Sequence, residues 1–391
     1  MAGRDLIKVV TGIRRSGKSV VMQMARQAIL ESGIGENRIA FIDFESRAAA
    51  ELTTSEKVWA ELDRQLTGKG KKYVFLDEVQ RVEGFEKLVD AIYADKDYDC
   101  YITGSNAWML SGELATYLSG RYVEIHVMPF SFAEFTEGGV ADRRDAWLDY
   151  TRYGSFPYVR RLLESGGASD VGQYLDGVFN TVLLKDVAMR LKLSDVGTVR
   201  RIAEFLFDNI GNLTSIKRIC DVLSSRGGKV SYPAVANYVE QLSEAYLFYR
   251  CDRVNVRGME ILKVGAKYYA VDPGLRAYLN GNRAGDDGRV LENIVYLELR
   301  RRHRAVYVGS TPRGQEIDFV TRDGDRTSYY QVAESVKDPD TLARELRPLE
   351  TVDDNYPKTL ITGDDTNPVM HNGIRQISVF DFLSPTTNHE L

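Results

Sequence analysis

The sequence is poor in residues that bind transition metals or cross-link chains. Only three cysteines and four histidines occur among its 391 residues. The cysteines are scattered without a CxxC pair, which argues against a zinc site and favours reduced thiols in the cytoplasm. No apolar run approaches the roughly 20 residues that a membrane-spanning helix needs. We therefore expect a cytoplasmic protein that does not enter a membrane.

A large excess of charge of either sign is also missing. The formal net charge is −5, without the overall basic character of many nucleic-acid-binding proteins. What the chain does contain is 43% hydrophobic and 10% aromatic residues, which is typical of a globular protein. Its length predicts two to three domains.

Residues 12–19 read Gly-Ile-Arg-Arg-Ser-Gly-Lys-Ser and match the phosphate-binding loop pattern G-x-x-x-x-G-K-[ST]. The glycines allow backbone N–H groups to converge on phosphate oxygens. A β-rich run, Leu6 to Val10, enters the loop, and helical spacing follows from Val20 to Leu30. This arrangement predicts that Lys18 bridges the β- and γ-phosphates of a nucleotide and that Ser19 holds Mg²⁺.

A second element, Tyr73 to Glu78, is a hydrophobic strand that ends in two acids. About sixty residues after a phosphate-binding loop, such acids are expected at the carboxyl edge of a parallel sheet, next to the nucleotide. Asp77 would then hold Mg²⁺, and Glu78 would act as the general base that polarises water.

Further strands are predicted at residues 38–44, 99–103 and 121–129, in an α/β layer with a parallel sheet. Asn106 follows the second of these and either contacts the γ-phosphate, orients the attacking water, or belongs to a plain turn. Arg121 either stabilises transition-state charge, in cis or across a subunit interface, or forms a surface salt bridge.

These patterns define two sets of candidate residues in the first part of the chain. The candidate catalytic residues are Lys18, Glu78, Asn106 and Arg121. The candidate nucleotide-binding residues are Gly12, Arg14, Arg15, Ser16, Gly17, Lys18, Ser19 and Val20. The arginine pair contacts nucleotide phosphates, a neighbouring molecule or only solvent.

Several short motifs follow one another along the chain. They include Thr11 to Ser19, Leu76-Asp77-Glu78-Val79-Gln80, Ile102-Thr103-Gly104-Ser105-Asn106, Lys267-Tyr268-Tyr269 and Glu316-Ile317-Asp318-Phe319. Their order resembles that of a prokaryotic family of AAA+-type ATPases with a C-terminal nuclease-like domain. The resemblance implies ATP and Mg²⁺ as cofactors, and AAA+-type proteins suggest a homo-oligomer.

The same resemblance implies four segments. They are a P-loop NTPase domain of the AAA+ type with strand order 5-1-4-3-2 at residues 1–135, a helical lid at 136–195, a winged helix at 196–284, and a PD-(D/E)XK-like α/β domain at 285–391. In the lid, a Gly-x-x-Pro corner at residues 154–157 either faces the nucleotide or makes a tight turn.

The positive net charge of the winged-helix segment is compatible with DNA binding. Residues 196–280 contain twelve Lys/Arg against eight Asp/Glu. However, Glu240 and Glu244 on the solvent face of the second helix, which begins at Pro233, would repel phosphates. The segment is therefore either a structural element or a non-specific contact to the DNA backbone.

In the C-terminal segment, Glu292 and Asp318 resemble the metal-binding acids of PD-(D/E)XK nucleases, whose chemistry needs Mg²⁺ and a lysine that helps activate water. Ala333 stands where that lysine is expected, and Lys337 follows it. The two acids are therefore a residual metal site or a polar core pair, and we expect no cleavage. The basic run at residues 300–304 is a phosphate patch or a solvated helix end.

Together, the motifs predict a Mg²⁺-dependent ATPase whose nucleotide state repositions its C-terminal domains, with DNA as a partner through backbone contacts. One alternative is an ATP-gated regulatory scaffold with slow hydrolysis. A second alternative is a metal-dependent DNA endonuclease.

Overall fold

The computed structural model describes residues 6–104, 118, 120–137, 142–191, 196–225, 230–281 and 285–384. The chain divides into two compact units. The first contains residues 1–129 and 244–246, and the second contains residues 130–243 and 247–391. Each unit is built around its own β-sheet.

The first unit contains a five-stranded sheet in the order β2-β3-β4-β1-β5. Its strands are β1 (Ile7–Thr11), β2 (Ile39–Asp43), β3 (Lys72–Asp77), β4 (Tyr98–Thr103) and β5 (Tyr122–His126), and its helices include α1 (Lys18–Glu31), α2 (Ser55–Gln65) and α3 (Phe85–Ala94). All four strand pairs are parallel. This arrangement confirms the predicted parallel sheet and its order 5-1-4-3-2.

The central strands of this sheet are largely buried because they are rich in apolar residues on both faces, whereas β5 at the edge is only partly buried. All five residues of β1 are buried, and so are the last four of β3. The buried Lys8 on β1 pairs with Asp99 on β4, which offsets the cost of placing both charges in the core. Since all strands run in one direction, the loop after β1 and the acids after β3 lie at the same edge.

The second unit begins with helices, as expected for residues 136–195. They are α4 (Phe132–Thr136), α5 (Arg143–Tyr153), α6 (Pro157–Glu164) and α7 (Val171–Thr181), which continues as a π-helical segment (Val182–Ala188). Then follow α8 (Val196–Asp208), α9 (Ile216–Ser225), α10 (Tyr232–Glu244), α11 (Pro273–Asn280), α12 (Asp287–Arg302), α13 (Pro339–Glu350) and α14 (Val379–Phe382).

The predicted Gly-x-x-Pro corner is a tight turn between α5 and α6. Gly154 has a φ of +84°, and a Cβ there would lie 2.2 Å from Asp272 Oδ1, so the turn requires glycine. The carboxylate of Asp272 accepts hydrogen bonds from the N–H groups of Ser155 (2.6 Å) and Leu275 (2.9 Å), and it thereby caps α11. A role of this corner at the nucleotide stays a prediction.

An eight-stranded sheet in the order β12-β13-β11-β10-β9-β8-β6-β7 forms the rest of the second unit. Its strands are β6 (Phe248–Asn255), β7 (Glu260–Ala270), β8 (Ala305–Ser310), β9 (Glu316–Asp323), β10 (Arg326–Ala333), β11 (Lys358–Thr362), β12 (Val369–His371) and β13 (Ile374–Ser378). Strands β8 to β13 come from residues 285–391, and β6 and β7 come from residues 196–284.

The hairpin of β6 and β7 comes from the segment that was interpreted as a winged helix. In the structure, β6 pairs in parallel with β8, so the hairpin is the edge of the larger sheet. The boundary expected at residue 284 therefore lies between strands that share one sheet.

Candidate nucleotide site

The loop between β1 and α1 has backbone conformations that suit a phosphate cradle. Gly12 and Gly17 have φ angles of +139° and +106°, and Arg15 has +67°. A Cβ on Gly12 would lie 2.1 Å from the backbone oxygen of Val127. Among the described residues, none caps α1 with its side chain, and its first turn has no acid. The positive end of α1 therefore faces the loop without a competing carboxylate from its own first turn.

Two side chains of this loop fit a polyanionic ligand. The buried ammonium of Lys18 donates to the carbonyl oxygens of Gly12 and Ile13, at 3.0 and 3.1 Å. Ser16 Oγ is buried and has no hydrogen-bond partner within the described part of the chain. An unsatisfied buried hydroxyl costs about 1–3 kcal/mol, and a phosphate oxygen would supply its partner.

The acids after β3 lie beside this loop. Asp77 and Glu78 are both buried, and the side chain of Ser19 lies close enough to the Asp77 carboxylate to favour its ionised form. Burial raises the pKa of Asp77 above its ordinary value, the charges of Glu78 and Asp43 add to that effect, and the hydrogen bonds from Ser19 and Thr103 oppose it. A bound cation would favour the ionised form of Asp77.

Thr103, at the end of β4, holds both acids but was not among the predicted site residues. Its hydroxyl donates to Asp77 Oδ1 and accepts a hydrogen bond from the Glu78 N–H at 2.8 Å. Glu78 adopts a left-handed backbone conformation with a φ of +58°, which is uncommon for a residue other than glycine. Gln80 Nε2 donates to Glu78 Oε2 at 2.6 Å. These contacts fix the position of the Glu78 carboxylate.

The remaining candidates near the loop differ in their surroundings. Arg14 lies 3.5 Å from Glu45 Oε1, an atom that is also 2.6 Å from Arg81. Arg15 and Val20 are exposed. Asn106 lies outside the described residues.

Arg121 lies away from the phosphate-binding loop. Tyr122 pairs with Ile7 at the start of β1, whereas the loop follows Thr11 at its other end. Four residues of strand, each about 3.3 Å long, separate these two ends of β1, so the distance between them is roughly 13 Å. Arg121 instead forms an ion pair with Asp90 at 2.7 Å. This placement corrects the expectation of a cis contact to phosphate, and a contact across a subunit interface stays a prediction.

The other predicted metal-binding pair lies in the second unit. Glu292 and Asp318 come together around Lys267, whose Nζ is 2.8 Å from Glu292 Oε1 and 3.8 Å from Asp318 Oδ1. Lys337, considered as a replacement for the missing nuclease lysine, pairs instead with Asp364, and its side chain is 80% exposed. Within the described ranges, no group of three or more His, Cys, Asp or Glu side chains is arranged to hold a metal ion.

Comparisons with known proteins agree with the geometry of the first unit. Residues 4–136 match the AAA domain family, and residues 144–286 match a domain of unknown function (DUF8612). The first unit is thus an ATP-binding P-loop domain of the AAA class.

Relatives extend over nearly the whole chain. An uncharacterized protein of Haemophilus influenzae is 37% identical over 385 residues, covering 97% of this chain and 94% of that protein. The uncharacterized protein MJ1544 of Methanocaldococcus jannaschii is 26% identical over 396 residues, covering 96% of this chain and 85% of the relative. The chain belongs to the same family as the Haemophilus influenzae protein.

Solved structures show weaker similarity. The Walker-type ATPase PABY2304 of Pyrococcus abyssi has a TM-score of 0.48 at 15% identity and covers 70% of this chain and 90% of its own. The Orc1 protein of Aeropyrum pernix, in complex with DNA, has a TM-score of 0.32 at 13% identity, covering 71% and 87%. Scores this low do not establish a shared fold. Separately, none of the described helices has the length and apolar character to span a membrane.

Proposed function

We propose that this chain is a Mg²⁺-dependent ATPase. The observation that carries the proposal is that the phosphate-binding loop and the acids at the end of β3 lie at the same edge of the sheet, with the Ser19 side chain close to Asp77. A hydroxyl after the loop lysine and a carboxylate at the end of another strand of the same sheet are the two protein ligands that P-loop hydrolases use for Mg²⁺. Magnesium in such sites takes its other ligands from phosphate and water, so one carboxylate is sufficient.

Each residue of the site has a distinct role in this proposal. The loop N–H groups, Lys18 and the Ser16 hydroxyl hold the phosphates of ATP. Ser19 and Asp77 hold Mg²⁺, which supplies positive charge to the phosphate oxygens. The Glu78 carboxylate, positioned by Gln80 and by the backbone contact to Thr103, accepts a proton from the attacking water.

Two substitutions separate binding from hydrolysis. Lys18→Ala removes the cation of the loop and should abolish binding of a fluorescent ATP analogue. Glu78→Gln keeps the shape of the site but removes the base, so it should retain nucleotide binding and lose turnover. Binding is measured by fluorescence titration, and turnover is measured by phosphate release with and without Mg²⁺.

Matched controls lie on the exposed surface of the same unit. Lys87→Ala and Glu83→Gln make the same chemical changes at exposed positions and should leave both readouts unchanged. Full Mg²⁺-dependent hydrolysis by Lys18→Ala and Glu78→Gln would end the proposal. Binding without multiple turnover in the unmodified protein would favour the ATP-gated scaffold.

We also propose that the second unit responds to nucleotide and contacts the DNA backbone without sequence preference. The supporting observation is that Lys217, Arg218 and Arg257 are exposed. The basic run at residues 300–304 supports it less, because Arg302 pairs with Glu298 at 2.7 Å and His303 with Asp323 at 2.6 Å.

The DNA proposal is tested by ATP turnover with and without single- and double-stranded DNA over a salt series. Stimulation that declines as salt rises would support a phosphate-backbone ligand. Turnover that is indifferent to DNA at low salt would contradict it.

A further inference from the structure

A buried acidic cluster in the second unit is organised around a lysine. Lys267 Nζ lies 2.8 Å from Glu292 Oε1, 2.8 Å from Glu316 Oε1 and 3.8 Å from Asp318 Oδ1. The Lys267 side chain is only 4% exposed. An ammonium group has three donors, and here the three carboxylates converge on it from helix α12 and strand β9.

The two inner acids accept further hydrogen bonds, Glu292 through the same oxygen and Asp318 through its other oxygen. The Tyr269 hydroxyl donates to Glu292 Oε1 at 2.6 Å, and the Val332 N–H donates to Asp318 Oδ2 at 2.8 Å. On its other side, Glu292 Oε2 lies close to Gly211, where an added Cβ would come within 3.0 Å of it. A divalent ion needs several oxygens at about 2.0–2.6 Å that can turn toward it. These carboxylates are instead turned toward Lys267, Tyr269 and a backbone N–H.

The charges agree with a permanently protonated lysine. Burial disfavours the charge of Lys267, but the three carboxylates outweigh burial and raise its pKa. Burial, together with the charge of Glu292, raises the pKa of Asp318 to about 8.

We propose that the Lys267 ammonium occupies the cation position of this cluster, which makes the cluster an internal ion-pair centre that does not bind a divalent metal. The residues Glu292 and Asp318 therefore do not fit the metal site of a nuclease. The cluster instead joins β7, α12 and β9 in the core of the second unit.

Manganese binding to the full-length chain tests this proposal. We expect the nucleotide-free protein to have no Mn²⁺ site that depends on Glu292 or Asp318, so Glu292→Gln and Asp318→Asn should bind as much Mn²⁺ as the unmodified chain by electron paramagnetic resonance. One equivalent of Mn²⁺ that is lost in both variants but retained in Asp77→Asn would overturn the proposal.

Removal of the lysine gives the converse experiment. Lys267→Met leaves the three carboxylates without a counter-charge and should gain at least tenfold in Mn²⁺ affinity, with a Tm that rises when Mn²⁺ is added. Lys217→Met, at an exposed position, is the matched control and should gain neither. A folded Lys267→Met with unchanged Mn²⁺ affinity would contradict the proposal. If this variant does not fold, Mn²⁺ binding by Glu292→Gln and Asp318→Asn still tests the proposal.

Discussion

The two acidic sites of this chain contain the same residue types but differ in what surrounds them. At the edge of the first sheet, Asp77 accepts a hydrogen bond from the hydroxyl of Thr103, and the side chain of Ser19 lies close to it. In the second unit, Glu292 and its neighbouring acids are held by Lys267. A hydroxyl fixes a carboxylate without cancelling its charge, so the first site still attracts a cation, whereas the second already contains one. The counter-charge, and not the presence of paired acids, separates the two sites.

The same substitution at each site should give opposite results. Glu78→Gln should lower ATP turnover by about 10²–10⁴-fold, the usual contribution of a general base, with little change in the free energy of unfolding. Glu292→Gln breaks a buried ion pair and should lower the free energy of unfolding by about 3–5 kcal/mol, with turnover unchanged within error. Phosphate release and urea denaturation measure the two effects. Equal losses of turnover in both variants would remove the distinction between the sites.

Thr103 provides an intermediate test of how the first site is held. Thr103→Val keeps the shape of the side chain but removes both hydrogen bonds. We therefore expect its free energy of unfolding to be about 1–3 kcal/mol lower and its ATP turnover to be lower than that of the unmodified protein. Thr103→Ser should retain most of both properties. Thr359, equally buried on β11, is the control, and Thr359→Val should leave turnover unchanged. Normal turnover in a folded Thr103→Val would show that the acids do not need this contact.

An effect that is confined to part of the pH range concerns Asp272, an acid that neutral donors hold inside the second unit. Burial raises its pKa from 3.8 to about 6, against the hydrogen bonds from Ser155 and Leu275. Because the folded chain binds this proton more tightly than the unfolded chain, the stabilisation is full below about pH 4 and is lost as the pH rises through about 6. Between these limits the free energy of unfolding should fall by about 2–3 kcal/mol because of Asp272, and Asp272→Asn should remove this pH dependence.

Asp338 is the matched control for this pH dependence, because it also caps a helix, α13. Hydrogen bonds from Thr341 lower its pKa, so its contribution is present at higher pH and is lost only as the pH falls through that lowered pKa. Asp338→Asn should therefore leave the slope between pH 4 and 6 unchanged in urea titrations. An unchanged slope in Asp272→Asn would contradict the assignment.

The first site could be predicted from sequence because its signals are local. The glycines and Lys18 lie within eight residues, and Asp77 and Glu78 close one apolar strand. Thr103 could have been added from the strand order alone, because β4 lies next to β3 and ends at the same edge. Arg121 could have been excluded from a cis contact in the same way, because the strand predicted to begin there runs parallel to β1 and so starts at the opposite edge.

The role of Lys267 could not be predicted from local pattern. The PD-(D/E)XK motif places its lysine on the strand after the acids. The sequence therefore suggested that a lysine for this site would come from the position of Ala333 or from Lys337. The lysine that reaches Glu292 instead comes from β7, 25 residues earlier. It is brought there by the pairing of β6 with β7 and with β8. Tertiary strand pairing of this kind leaves no periodic signal in the sequence.

The parallel pairing of β6 with β8 also determines where this protein can be divided. A fragment that starts at residue 285 would leave β8 with an unpaired edge, which favours association with other chains. It would also leave Glu292, Glu316 and Asp318 without the ammonium that holds them together. A separable C-terminal module must therefore begin no later than residue 248, and shorter fragments are expected to aggregate when expressed alone.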